Sequence, residues 1–399
     1  MELKKTARID LLKERMLSQP RYVSMEQAMI ITRAYQRHEE EPVILKRAYA
    51  LHDALCELEI GIEPQELIVG NRTKGVRYGV VFPESGISWV DQELETLPTR
   101  PQDKFLVRPE DVQTFREVIK PYWKGKSLED VLKKRYGKEI SALSTVVKIN
   151  QKDHAQGHIC PNVREWLEKG PAGLKEEAQQ HLLDCKEEQR PFYESILLVM
   201  DGVCRFLMRY HDELQKEAKQ HPDWKQDMIE TAEICKALSK RPAETFHEAV
   251  QSMWILFVVL HMESNASSFS PGRLDEILYP YYRKDRELGR LDAQRALDII
   301  ECLWLKFNQI VYLRNKNSAK YFAGFPIGFN IAVGGQDVHG EDVCNELSFL
   351  FLLAQEHIGL PQPNLSVRLH RGTGDALLKK AVRVVAKGSG MPQFFNDEA

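Results

Sequence analysis

Past about residue 290 the chain alternates helix-length apolar segments with short runs of β-branched and aromatic residues. That rhythm dictates how any sheet must be wired. A helix is predicted from Asp292 to Leu313, and a strand from Phe329 to Val333, stopped by Gly334-Gly335. A helix from His339 to Ile358, a strand from Leu365 to Leu369, a helix from Asp375 to Ala386 and a strand from Met391 to Phe395 follow. A helix-length connection returns the chain to the same end of the sheet, so the strands are expected to pair in parallel through right-handed crossovers. The last strand runs into the polar Asn396-Asp-Glu-Ala399. Strand ends of this kind are where many α/β enzymes place their chemistry, so the chain reads as stopping in mid-architecture. A partial sheet would leave an unpaired edge, and the chain expressed alone is expected to be poorly soluble or oligomeric.

Upstream the chain reads as helical. Ser24-Met-Glu-Gln27 has the form of a capping box for a helix through Tyr35, and Pro42 opens another through Leu55. Residues 60–105 are rich in Gly and Pro, as in Gly70-Asn-Arg-Thr-Lys-Gly75, and read as a long loop region of the kind that often carries function. Helical periodicity returns over 109–146 and again over 171–264, where Pro222 and Pro242 punctuate successive helices. The fold class is therefore α/β with a largely helical N-terminal part (1–290) and an α/β part from 291 onward.

A formal charge of −3 gives no electrostatic case for nucleic acid or an anionic membrane. The longest apolar run, Met253 to Leu260, is too short to span a bilayer and reads as a buried helix. The N-terminus lacks the apolar core of a signal peptide. Seven widely spaced cysteines with no CxxC favour reduced, cytoplasmic thiols and give no zinc or iron–sulfur signature.

Four constellations could carry chemistry. Asn150-Gln-Lys-Asp-His-Ala-Gln-Gly-His158-Ile-Cys160 is a polar loop. Its two histidines are a weak metal pair, and His158 beside Gly157 could instead contact a substrate hydroxyl, a neutral imidazole being able to donate or accept. A solvated loop explains the spacing equally well. Glu263-Ser-Asn-Ala-Ser-Ser-Phe-Ser270 follows the most apolar helix and suits a pocket for a small polar molecule, or a Ser-rich turn before a new helix. Arg273 and Asp275 read as structural. Tyr321 to Asn330 suits a strand that lets a ligand approach its backbone, or one that is simply packed. Arg368, in Gln362-Pro-Asn-Leu-Ser-Val-Arg368, reads as half of a structural ion pair. Gly388-Ser-Gly390 lacks the rest of any phosphate-binding motif.

Taken in order, Glu263-Ser-Asn-Ala-Ser-Ser268, Gly272-Arg-Leu-Asp275, Tyr279-Pro-Tyr-Tyr282, Gln362-Pro-Asn-Leu-Ser-Val-Arg368 and Pro392-Gln-Phe-Phe-Asn-Asp-Glu398 resemble the glycyl radical enzymes. Pro42 to Ala48, Glu66 to Asn71 and Pro98 to Asp103 agree. The resemblance covers nearly the whole chain. It is nearest to the pyruvate formate-lyase-like branch that includes second formate acetyltransferases, glycerol and diol dehydratases and hydroxyproline dehydratase. It implies a ten-stranded α/β barrel built from two five-stranded parallel halves, of which part of the first half is expected here.

It also implies a thiyl cysteine in a Gly-Cys-Val-Glu-like motif and a C-terminal radical glycine, installed by an iron–sulfur, S-adenosylmethionine-dependent activase. A barrel interior shields such a radical. Neither motif occurs in these 399 residues, so the resemblance implies no catalytic residue, metal or directly bound cofactor within them. Members of the family continue past the matching Asn-Asp-Glu.

Substrate contacts carried over from the resemblance are His158 and Ser268, with Ser267 standing where diol dehydratases have a histidine, and Asp153 and Gln156 in the His158 loop. The implied activity is that of a radical dehydratase or lyase acting on a small hydroxylated compound, inactive in this part alone. The alternatives are a formate acetyltransferase acting on a 2-keto acid and coenzyme A, and a non-catalytic remnant or one half of a split enzyme. The implied partners are the substrate, the activase and a second copy in a homodimer.

Overall fold

The computed structural model describes residues 3–147, 157–265, 267–322, 324 and 327–399. The helical part is organised around the helix Arg190–Glu217, whose buried residues Val203, Phe206, Leu207, Tyr210 and Leu214 recur at three- and four-residue spacing. That stripe packs against the helices Val43–Glu57, Val163–Asp184 and Lys225–Leu238. The helix Phe246–Glu263 is buried nearly all round, as its apolar run requires. Its start is fixed by a reciprocal cap: Thr245 Oγ1 accepts from Glu248 N, and Glu248 Oε2 accepts from Thr245 N, both at 3.2 Å.

The predicted capping box at Ser24 does not form. The helix there runs Glu26–Arg37 with no side-chain cap, because Ser24 is buried in the two-residue strand β1 (Val23–Ser24), paired in parallel with β2 (Gly79–Val80). Residues 60–105 are largely irregular, as expected, apart from β2 and the short helix Ser88–Glu93.

The remaining strands are β3 (Gly157–Ile159), β4 (Ser267–Phe269), β5 (Asn330–Gly334), β6 (Asn364–Leu369) and β7 (Gln393–Asn396). β5, β6 and β7 form a parallel sheet in sequence order, with Asn330 beside Asn364 and Ser366 beside Gln393. Ile331, Val333, Leu365 and Val367 are fully buried and share one core with Leu347, Phe351, Leu377 and Val384 of the intervening helices. β3 pairs with β4 in parallel. A parallel bridge from Gly272 to Ile331 joins this pair to β5. The edge strand β7 is exposed along its length.

Two helices are shorter than their periodicity predicts. Ala293–Phe307 stops six residues early, where Asn308 Nδ2 donates to Trp304 O and Gln362 O (both 2.8 Å) and Ile310 to Leu313 stay buried without continuing the helix. The next helix starts at Glu346, not His339. Asp337 Oδ1 accepts from His339 N and Glu341 N, which holds a turn, and Asn345 then caps the helix through Leu347 N at 2.9 Å. In both places a short polar side chain offers the backbone an alternative to helix.

Candidate functional site

Parallel pairing of β3 with β4 places Gly157 beside Ser267 and Ile159 beside Phe269. The residues between, His158 and Ser268, therefore lie opposite one another. Both have φ +61°, the left-handed region. Only two other non-glycine residues do so among the described residues, Arg77 and Asp103. Such a backbone costs about 1–3 kcal/mol per residue and persists only where the surroundings impose it. His158 is exposed and Ser268 half-buried.

The surroundings are specific. Ser268 N donates to Ile327 O at 2.7 Å, and Ser270 N donates to Ile159 O at 2.8 Å. Gly328 has φ +86°, and a Cβ there would stand 2.7 Å from Ser268 Oγ, so only glycine leaves room for the hydroxyl. Asn330 Nδ2 donates to Gly328 O (3.0 Å) and Ser270 Oγ (3.3 Å). Cys160 is exposed, its Sγ 3.2 Å from where a Cβ on Gly272 would lie. The site thus gathers His158, Cys160, Ser268, Ser270 and Asn330. Ser270 and Asn330 were not singled out as contacts from the sequence. The two-residue spacing of Ser268 and Ser270 along one extended segment was the available signal.

The helix Phe246–Glu263 delivers Ser268, and its C-terminal carbonyls are tied down from three directions. Gln27 Nε2 donates to Met262 O at 2.9 Å, Arg72 Nη1 to His261 O at 3.3 Å, and the Tyr312 hydroxyl to Asn265 O at 2.8 Å. Arg72 also donates to Val311 O, and Arg47 pairs with Glu263. Arg72 belongs to the Gly70–Gly75 loop, so that loop braces the site from behind. The His261 ring is fully buried against Phe269 and Phe329, and Nδ1 faces Phe257 O at 2.6 Å. Burial, with the Arg72 charge adding to it, pulls its pKa down to about 3, so it is a neutral packing group at pH 7.

Asp153 and Gln156 lie outside the described residues, as do His154 of the candidate metal pair and the side chain of Ser267. Among the described residues no group of three or more His, Cys, Asp or Glu could hold a metal ion. No described helix is long and apolar enough to cross a membrane. Arg273 donates to Gln336 O (2.7 Å) and Gly334 O (2.9 Å). Asp275 accepts from Gly334 N (2.9 Å) and Ser348 Oγ (2.5 Å). Both clamp the end of β5, a structural role. Burial pushes the Asp275 pKa up to about 6, against the pull of those hydrogen bonds. Arg368 Nε pairs with Asp397 Oδ1 at 2.7 Å.

The fold recurs in known proteins. The probable dehydratase YbiW of Escherichia coli (strain K12) is 33% identical over 396 residues, covering 94% of this chain and 48% of its own length. The glycerol-bound B12-independent glycerol dehydratase from Clostridium butyricum superposes with TM-score 0.95 at 32% identity, over 100% of this chain and 52% of that one. A glycyl radical enzyme from Archaeoglobus fulgidus gives TM-score 0.93 at 30% identity, over 98% of this chain and 52% of that one. The chain spans about half the length of the curated relatives it matches. A family model described as pyruvate formate lyase-like matches residues 3–399. With that match running almost end to end and the α/β fold shared throughout, the chain belongs to the pyruvate formate lyase-like family.

Proposed function

We propose that this chain forms the N-terminal part of a radical dehydratase or lyase acting on a small hydroxylated compound, with His158 and Ser268 contacting substrate hydroxyls. One observation carries the reading. Two polar residues from distant segments stand opposite one another on paired strands, both held in a backbone conformation that clusters at functional sites. Gln156, Asp153 and Ser267 are assigned to the same pocket wall. Ser267, in place of the histidine of diol dehydratases, disfavours glycerol itself as the substrate.

On this reading 1–290 is the helical layer and 291–399 opens a half-barrel. The parallel succession of β5, β6 and β7 supports it. The thiyl cysteine and the radical glycine are supplied by polypeptide outside this sequence, and an iron–sulfur, S-adenosylmethionine-dependent activase generates the radical. The working enzyme is a cytoplasmic homodimer.

The test is anaerobic activation of the complete protein. A glycine-centred doublet by electron paramagnetic resonance is expected. His158→Gln should raise KM for the hydroxylated substrate while leaving the radical yield unchanged. Absence of the doublet under conditions that activate a relative sinks the enzyme reading. An unchanged KM in the variant sinks the assignment of His158.

A further inference from the structure

Ser270 and Asn330 sit on adjoining extended segments. Ala332 N donates to Gly272 O at 2.9 Å, and Gly272 and Ile331 form a parallel bridge, so the chain after β4 and the start of β5 are fixed against each other. Ile331 and Val333 point into the core, which turns Asn330 to the opposite face of the strand, where it is exposed. Parallel strands are usually apolar on both faces, and Asn330 departs from that.

The partners of the Asn330 amide fix its orientation. Nδ2 lies 3.0 Å from Gly328 O and 3.3 Å from Ser270 Oγ. A carbonyl only accepts, so the group facing it is the NH2, and Oδ1 lies on the other side of the amide. No described residue donates to that Oδ1. Ser270 Oγ accepts from Asn330 and still carries its own proton, which no described residue accepts. Gly328 serves both neighbours: its missing Cβ makes room for Ser268 Oγ, and its carbonyl holds Asn330.

An uncharged acceptor and an uncharged donor therefore stand side by side next to Ser268. A hydroxyl matches both with one oxygen, donating to Asn330 Oδ1 and accepting from the Ser270 hydroxyl. A carboxylate or sulfonate brings only lone pairs and would set them against Oδ1, with no countercharge from Ser270 or Asn330. An ammonium brings only protons and leaves the Ser270 proton unmet. Polar groups left unmet in this way are what lets a hydrogen-bonding site reject the wrong analogue.

We propose that Asn330, together with Ser270, determines specificity: the pair holds a second substrate hydroxyl beside the one that His158 and Ser268 contact, and selects a neutral hydroxyl over an anionic group at that position. The inference rests on the proposed role of His158 and Ser268 as substrate contacts.

Isothermal calorimetry on the complete protein, kept anaerobic and unactivated, tests this with 1,2-propanediol, propan-2-ol and lactate. The three share a secondary hydroxyl and differ in whether a hydroxymethyl, a methyl or a carboxylate stands beside it. 1,2-Propanediol should bind at millimolar concentration, and the other two about tenfold or more weakly. Asn330→Leu keeps the shape of the side chain but removes the acceptor. It should bring the diol down to the affinity of propan-2-ol while leaving propan-2-ol within about twofold, whereas a merely structural role would weaken the two alike. Ser270→Ala, a smaller change, should cut the preference for the diol about threefold or more. His158→Gln should weaken the diol and propan-2-ol together, because it acts on the hydroxyl they share. No binding of the diol, lactate binding as tightly as the diol, or a preference for the diol that survives both Asn330→Leu and Ser270→Ala would each overturn the inference. An unaffected His158→Gln variant, with the preference still lost in Asn330→Leu, would count against the His158 assignment alone.

Discussion

Replacing Lys306 by methionine removes one half of an ion pair whose two side chains are each 4% exposed and whose charged atoms lie 2.6 Å apart. Methionine keeps most of the aliphatic stem, so the packing loss is small. The Glu66 carboxylate, however, is left buried without its cation. Breaking a buried pair in this way costs about 3–5 kcal/mol, whereas replacing both partners by apolar residues is often neutral or better. Unfolding entropy of about 2.1 cal/mol/K per residue puts the expected fall in Tm near ~5 °C for a chain of 399 residues. The sign with pH follows from the carboxyl. Burial already raises the Glu66 pKa above its ordinary value, with Lys306 opposing the rise, and removing Lys306 raises it further. A carboxyl with a raised folded pKa contributes stability below its unfolded value that is lost as pH rises through the folded one. The deficit of Lys306→Met should therefore be largest near neutrality and shrink toward pH ~4.5. Urea unfolding followed by tryptophan fluorescence, for Lys306→Met, Glu66→Leu and the double variant, measures the cycle. A single variant within ~1 kcal/mol of the unmodified chain, or a double variant worse than either single, would refute the reasoning.

Gly328→Ala should destabilise by about 1–2 kcal/mol, because it strains a φ of +86° and meets Ser268 Oγ at 2.7 Å; a cost below ~0.5 kcal/mol in urea would show that Ser268 can move aside. Asp275, with a folded pKa near 6 against 3.8 for the ordinary carboxyl, contributes stability that is present below the lower value and fades as pH rises toward the higher, ~3 kcal/mol at most. Asp275→Asn should flatten that stretch of the stability–pH curve, and an unaltered slope between those values counts against the assignment. Phe395, 54% exposed on edge strand β7, should be a self-association contact. Phe395→Lys is expected to lower the apparent mass in light scattering, and no change would place the association elsewhere.

The parallel strand order was legible because helix-length connections leave few alternatives, and β5, β6 and β7 fall within two residues of their predicted bounds. Helix ends were less legible. At Phe307 and at Glu346 the deciding groups are Asn308, Asp337 and Asn345, each binding backbone nearby instead of extending a periodic pattern. Ser24 shows the opposite failure: a good local capping signal was overridden by pairing with a strand more than fifty residues away. At the candidate site, polarity and order in the sequence pointed to His158 and Ser268. That they stand opposite one another, and that Gly328 makes room for the hydroxyl, depends on three segments far apart in the chain. No local pattern encodes that.

The bracing of this pair bears on why it exists. Two left-handed non-glycine residues cost about 2–6 kcal/mol together, a large share of a typical net stability. Glycine at either position would remove the strain. The chain instead keeps an imidazole and a hydroxyl there and surrounds Ser268 with constraints: the Ile327 carbonyl on its backbone, Gly328 against its oxygen, and Gln27, Arg72 and Tyr312 on the carbonyls leading into its strand. Arg72 is itself a fully buried cation, its pKa lowered to about 10 by desolvation, and so a further cost accepted at the same place. Strain imposed on two exposed or half-exposed polar groups, and offset by buried polar contacts behind them, is what the proposed role of His158 and Ser268 as substrate contacts requires.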